Sequence, residues 1–476
     1  MTTSHDLSQT SQPELFASRP ELNGWKPPPR IVYAMPWEIF TASSRERLRR
    51  MCFMMQGRAL GRLAMGPFIY WVVNDPESVK HVLQENAKNY KKGANYEELK
   101  PFLGLGLFTS DGDFWRRQRR LAQPAFHHKR LAMLASTMAE EATGLVQRWK
   151  SAADRGDVID VAPEMMRITL TVVSRTLFGV DLGTDAGEFG RTLTYVLRAT
   201  DRRLNSVVRI PRNWPLPSNQ KYKAAIKTLD GYIHNIIARR REMLADPHNK
   251  TEHHDLLAML LEARDEDTGE GMTDQQLRDE VITIVLAGHE TTALALSWAL
   301  FELAKHPAIY RAVRDEARAV LGDRDATWED YPKLQLTNRV VQEVLRMYPP
   351  VWIFERQSLA EDVIDGVKIP ADSTVAISTY TMHHDPRYWE QPEGFDPDRF
   401  LPEKAEKRHK FAFLPFGGGP RICIGNQFAL CEAAIILATV ARAYNMQLDP
   451  TQTPEPELAL TLRPGPDGIR MFPRKW

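Results

Sequence analysis

The chain has 476 residues, with 62 Lys+Arg against 61 Asp+Glu, 43% hydrophobic residues and three cysteines. That length buries a substantial core without disulfide or metal staples, and a formal net charge of +1 leaves no chain-wide basic excess to set against phosphates, which argues against nucleic acid as the main partner. Cys52, Cys423 and Cys431, odd in number and widely spaced, make no disulfide framework and fit a reducing compartment.

Residues 1–30 are polar, rich in Ser, Thr, Gln and Pro, and end in Pro27, Pro28, Pro29 and Arg30, which predicts a weakly ordered arm before one domain over 31–476. The arm carries neither a signal-peptide core nor an anchor. The longest early apolar run, Phe68 to Val73, is far short of the roughly 20 residues of a membrane span, so no membrane anchor and a cytoplasmic location are expected.

Two β-type runs between Arg58 and Val73 flank Gly66-Pro67, and Asp75-Pro76 then opens a helical pattern. From Pro124 to Leu321 helical periodicity dominates, with breaks at Gly156-Asp157, between Gly179 and Gly190, and at the Pro-rich stretch Pro211 to Pro217. Thr273 with Gln276 makes a capping-box pattern and Pro307 a stop, which predicts one long helix from Thr273 to His306. Beyond residue 350 the texture turns β-rich: Val363 to Ile369 holds an Asp365-Gly366 turn, and Ser373 to Thr379 reads as a strand. A Pro- and aromatic-rich meander leads to Leu414, and a last helix runs from near Cys423 to about Tyr444. The fold class is therefore mainly α with a small β-rich region, without internal repeats.

The sharpest chemical signal is Phe416 to Leu430, a Gly-rich loop that presents Cys423 at the start of an apolar helix. A helix N-terminus supplies positive potential and free N–H groups, which predicts a thiol held below its free value of about 8.5. A structural buried cysteine is the alternative, and it is the preferred reading for Cys431. The loop resembles the haem-binding loop of the cytochrome P450 family, with Phe416, Gly417, Gly419, Arg421, Cys423, Gly425 and Ala429 on that pattern. The resemblance makes Cys423 the axial ligand of a haem b iron, with Phe416, Arg421 and Gly425 beside the cofactor.

The long helix is apolar on nearly every face from Val281 to Leu303, so it must be buried. Its centre nevertheless reads Ala287-Gly288-His289-Glu290-Thr291-Thr292. A threonine hydroxyl competes for a carbonyl one turn back and can open the helix into a groove. In the resemblance this is the oxygen-binding groove, and Glu290 and Thr291 are the acid and alcohol that deliver protons to bound dioxygen. Thr292 is assigned a structural role and His289 a hydrogen-bonded place in the core.

Glu343 and Arg346 share one helix face in an apolar segment, and Arg399 in Phe395-Asp-Pro-Asp-Arg-Phe400 stands where the family closes an ionic triad. The resemblance also implies that Trp115, Arg119, Arg356 and Arg421 hold the haem propionates. Phe102, Leu103, Phe108, Leu286, Ala287, Val351, Trp352, Ile353 and Phe354 are expected to line an apolar substrate pocket. Fatty acid, terpenoid and steroid all remain open, and the basic run Arg198, Arg202, Arg203, Arg209 and Arg212 is read as a solvated face, with attraction of a substrate carboxylate as the alternative.

The implied whole is a soluble bacterial monooxygenase, a helical prism with the long helix over the haem. It would use dioxygen and electrons from NAD(P)H through a ferredoxin reductase and a ferredoxin steered by Arg116, Arg117 and Arg120. The alternatives are a haem-binding sensor without turnover and a peroxide-using relative on the same fold.

Overall fold

In the computed structural model the described residues are 43–476, apart from 56, 66–67, 181–184, 207–208, 246–254 and 266–267. The expected N-terminal arm and the Gly66-Pro67 turn lie outside them. Ser44–Met55 forms a helix, α1, that the sequence reading did not single out.

Strands β1 (Leu60–Met65) and β2 (Phe68–Val73) pair antiparallel, as the two apolar runs predict. Asp75 then caps a short helix by accepting the Ser78 N–H at 3.1 Å, with Pro76 in the first turn where its missing N–H costs nothing. The hairpin recruits strands from far along the chain. With β3 (Tyr90–Lys92), β5 (Phe354–Ser358) and β8 (Thr374–Ile377) it makes a five-stranded sheet in the order β1-β2-β8-β5-β3, in which β2 and β8 run parallel. Asp365 and Gly366, both at positive φ (48° and 72°), turn β6 (Asp362–Ile364) into β7 (Val367–Ile369). The Gly156-Asp157 break leads into a two-residue strand, β4 (Ile159–Asp160), which joins β9 (Tyr444–Leu448) and β12 (Arg470–Lys475) in the order β4-β12-β9. A last hairpin pairs β10 (Pro456–Leu458) with β11 (Leu462–Pro464).

The remaining helices of eleven residues or more are α2 (Gly112–Ala122), α3 (His128–Arg155), α4 (Val161–Leu177), α5 (Asp185–Leu204), α6 (Pro217–Ala245), α7 (Asp274–Lys305), α8 (Pro307–Leu321), α9 (Gln335–Met347) and α10 (Asn426–Ala443). Helix α7 starts on the predicted capping box: Thr273 Oγ1 accepts the Gln276 N–H at 3.2 Å, and Gln276 Oε1 accepts the Thr273 N–H at 2.8 Å. It packs along α4 and reaches α9 and α10, so the apolar circumference read in the sequence is covered by helices. Among the described residues α7 alone is long and apolar enough to cross a membrane, and it lies inside the fold.

Glu343 and Arg346 on α9 are both fully buried. Arg346 uses all five guanidinium N–H groups: two on the Glu343 carboxylate (2.7 and 2.8 Å) and three on the carbonyls of His383, Pro392 and Gly394. Glu343 Oε1 also accepts Arg399 Nε at 3.3 Å and the Asp396 N–H at 2.9 Å. The meander is thus pinned to α9. His383 extends the pin, since its Nδ1 meets the Arg346 carbonyl at 3.2 Å while Nε2 accepts the Leu414 N–H at 2.8 Å, just before the cysteine loop.

Candidate active site

The loop from Phe416 to Gly425 is a run of tight turns that only particular glycines permit. Gly417 and Gly419 have φ of 70° and 66°, and a Cβ on Gly419 would lie 1.8 Å from the Leu83 carbonyl oxygen. The Cys423 N–H donates to Phe416 O at 2.9 Å and closes the loop. Helix α10 begins three residues later, at Asn426, with Gly425 at its N-cap.

The Gly425 N–H and the Arg119 guanidinium both favour a thiolate at Cys423, yet burial outweighs them and pushes the thiol up. This corrects the expectation of a depressed thiol. A helix start and one arginine do not offset desolvation. Cys423 retains accessible surface although enough protein surrounds it to raise its thiol, which sets the sulfur in a recess. Cys431 is buried and pushed up to about 12, in keeping with a structural thiol.

Helix α7 carries a second patch of accessible surface. Val281 to Leu286 and Thr292 to Leu303 are buried, whereas Ala287 is exposed and Gly288 and Thr291 are half-buried. A strip of surface in the middle of an otherwise sealed helix needs a void beside it. Thr291 Oγ1 donates to Ala287 O at 2.7 Å, the back-bond read from the sequence. The helix runs unbroken from Asp274 to Lys305, however, so small side chains and not a local opening make the recess.

Glu290 does not join Thr291. The residues are adjacent and project about 100° apart round the helix. Glu290 is buried, with Oε1 accepting the Thr461 hydroxyl at 3.0 Å, and burial pushes its carboxyl up. Thr292 is buried toward Glu432. His289 is buried against α4, where burial lowers it to about 4.

The cations expected at a cofactor edge do converge. Arg421 lies 4.2 Å over the Trp115 ring, donates to Ser110 O at 3.0 Å and pairs with Asp111. Arg119 Nη1 donates to Ile422 O at 2.9 Å, joining α2 to the cysteine loop. Arg356 is buried beside Tyr96. The sequence reading missed Lys92, which stands directly across the β3–β5 ladder from Arg356. Burial, Arg356 and Arg421 push its ammonium well below its ordinary value, opposed by Asp111. Like charges opposed in a sheet are destabilising unless something neutralises them. A dianionic edge does so, and the two propionates of haem b fit the cluster. Only the strand register could have revealed Lys92, because nothing local sets it apart from Lys91.

Several expected positions fall elsewhere. Phe102 and Leu103 are fully buried and present no surface to the interior, whereas Phe108 is half-buried. Leu286 is buried beside exposed Ala287. Val351, Trp352 and Ile353 are half-buried, with Trp352 Nε1 donating to Ala459 O at 2.8 Å, and Phe354 is buried in the sheet. The basic run divides: Arg198 and Arg202 are exposed, as expected of a solvated face, whereas Arg203, Arg209 and Arg212 converge on Glu98 at 2.6, 3.7 and 3.5 Å. Arg117 and Arg120 both reach Asp265, so of the three arginines expected to steer a partner Arg116 stands out most.

A glycine-shaped loop that presents an accessible cysteine, a strip of helix surface and a cation cluster for a dianion are the parts of a haem site, and the cytochrome P450 family model matches residues 27–471. The chain belongs to the cytochrome P450 family. It is 37% identical over 416 residues to cyclooctatin synthase of Streptomyces melanosporofaciens, covering 87% of this chain and 88% of that one. Pentalenene oxygenase of Streptomyces avermitilis is 33% identical over 437 residues, covering 90% and 93%. The crystal structure of the cytochrome P450DA heme domain superposes with a TM-score of 0.83 at 26% identity, covering 94% of this chain and 96% of that one. This P450 is a haem-thiolate monooxygenase of the helical-prism fold, and its cofactor is haem b.

Proposed function

We propose that this P450 oxidises a cyclic, terpenoid-type hydrocarbon or alcohol, placing one oxygen atom in a C–H or C=C bond while the other leaves as water. The support comes from cyclooctat-9-en-7-ol 5-monooxygenase and pentalenene oxygenase, relatives at 34% and 33% identity whose names give such substrates. Electrons come from NAD(P)H through a ferredoxin reductase and a ferredoxin, in the cytoplasm, and residues 31–476 act as one catalytic domain.

The observation that carries the site assignment is the strip of α7 with exposed Ala287 and half-buried Thr291, set in a sealed helix and accompanied by the accessible sulfur of Cys423. Cys423 is the axial ligand. Phe416 and Gly425 flank it, and Trp115, Arg119, Lys92, Arg356 and Arg421 hold the propionate edge. Bound haem supplies dioxygen activation, and cysteine ligation, general in this family, favours O–O cleavage.

The chain's own task is to orient substrate, exclude water and move protons. The Thr291 hydroxyl, resting on the Ala287 carbonyl, can turn from it toward the interior and pass a proton there. Burial raises the Glu290 carboxyl, and the Thr461 hydroxyl donates to it about 100° round the helix from Thr291. Glu290 therefore has to reach Thr291 by rotation or through water.

Thr291→Ala tests this reading. Substrate binding and NAD(P)H use should persist while product falls and released hydrogen peroxide rises. Unchanged coupling with several cyclic terpenoids would remove Thr291 from the mechanism. Binding spectra that respond to fatty acids and not to cyclic terpenoids would overturn the substrate class.

A further inference from the structure

The second turn of α7 carries two adjacent buried acids. Asp279 and Glu280 are 4% and 0% exposed, and both spend hydrogen bonds on other segments. Asp279 Oδ2 accepts the Leu105 N–H at 2.8 Å, and Glu280 Oε2 accepts the Leu107 N–H at 3.2 Å. Glu280 Oε1 accepts Nε2 of Gln118 at 3.2 Å, from the helix that also carries Trp115 and Arg119. Two adjacent acids thus tie the 104–109 segment and α2 to α7.

The segment is shaped to be held flat on that helix. Gly104 has φ +59°, and a Cβ there would lie 2.1 Å from the Asp279 carboxylate; a Cβ on Gly106 would lie 2.2 Å from Thr283 Oγ1. Two residues on, the Phe108 ring centroid is 5.2 Å from that of Tyr96 and 4.9 Å from Lys92 Nζ. The segment therefore spans from α7 to the propionate cluster.

Core stability does not account for these acids. Arg278 pairs with Asp279 at 3.1 Å, but among the described residues no cation pairs with Glu280. An apolar side chain in such a place is often neutral or better for stability. Burial pushes Glu280 up to about 8, so near neutrality it is an acid with an O–H to donate. Gln118 Oε1, buried and without a partner, can accept that proton once the amide is turned.

We propose that Asp279 and Glu280 are positioning residues that hold the 104–109 segment closed over the interior space and so set how fast an apolar ligand leaves it. The proposal rests on the haem-site reading given above.

The test uses the full haem-loaded chain and 4-phenylimidazole, whose departure is read from the haem absorbance, with cyanide as a small control ligand. Glu280→Leu should speed 4-phenylimidazole dissociation about tenfold, the consequence of leaving a buried N–H without an acceptor, and leave cyanide dissociation within about twofold. Glu280→Gln can still accept the Leu107 N–H and face Gln118 with a complementary amide, so it should match the parent. Should Glu280→Leu fail to load haem, Gly106→Ala pushes the segment off α7 against Thr283 while leaving both acids in place, and should give the same acceleration. Unchanged rates in the variant that loads, or a Glu280→Gln variant as fast as Glu280→Leu, would overturn the clasp. A parent without a thiolate-type carbon monoxide spectrum would overturn the haem-site reading and the clasp with it; a parent with that spectrum and unaltered variants sinks the clasp alone.

Discussion

Lys92 and Arg356 stand directly opposite each other on neighbouring strands, two cations in a register that ordinarily places unlike charges or apolar pairs together. The arrangement stores unfavourable energy in the protein alone and releases it when an anion arrives. Lys92→Met should therefore leave the haem-free chain as stable as the parent or more so, while haem dissociates faster from the loaded variant. Thermal melts with and without haem, with haem transfer to an acceptor protein, give both signs; a variant destabilised in both forms would assign Lys92 to the core.

The Glu343–Arg346 pair has no accessible surface and is closed by Arg399. Removing one partner of such a pair costs about 3–5 kcal/mol. Glu343→Ala should give little haem-loaded protein. Arg346→Lys should fare no better, because an ammonium cannot make the planar set of five bonds that the guanidinium makes. Normal yield and melting temperature in Arg346→Lys would show that charge alone suffices.

Gly419 and Gly425 sit in one loop and should respond differently to alanine. At Gly419 the positive φ and the 1.8 Å approach to Leu83 O forbid a side chain, so Gly419→Ala should lower the melting temperature of the haem-free chain. At Gly425 the nearest atom to an added Cβ is Phe126 Cε1 at 3.6 Å, an ordinary contact. Gly425→Ala should leave the haem-free chain intact and weaken haem binding alone, because the constraint there comes from the ligand side.

His289 is buried, Nδ1 lacks a partner among the described residues, and its value falls from 6.5 to about 4. Below pH 6.5 the unfolded chain takes up a proton that the folded chain refuses, so stability is lost as pH falls toward 4. By pH 5 the loss from this residue is about 2 kcal/mol. Denaturant melts of the parent and His289→Gln at pH 7 and pH 5 should show the difference moving toward the variant at the lower pH; a constant difference would place a charged histidine in the core.

What the sequence made legible is what a few neighbouring residues decide. The capping box at Thr273 and Gln276, the Asp365-Gly366 turn and the Cys423 loop are local patterns, and each stands where its residues place it. What stayed hidden depends on partners far along the chain. Glu290 turns to Thr461, Arg203, Arg209 and Arg212 meet Glu98, and Phe102 and Leu103 disappear into the core, none of which periodicity reports. The Cys423 thiol was misjudged for a related reason: a helix start is visible in sequence, and the amount of protein packed around it is not.

The parallel pairing of β2 with β8 sets Tyr70 beside Thr374. During synthesis the apolar strand Phe68–Val73 leaves the ribosome long before its partner exists, and at about 5–20 residues per second the wait is of the order of tens of seconds. Through that interval one long edge of the β1–β2 hairpin has no strand beside it, the condition under which nascent chains associate with one another. Yield in a foreign host should then depend on chaperone supply and growth temperature more than on the stability of the finished fold, and co-expressing a holdase should raise it without changing the melting temperature of what is recovered.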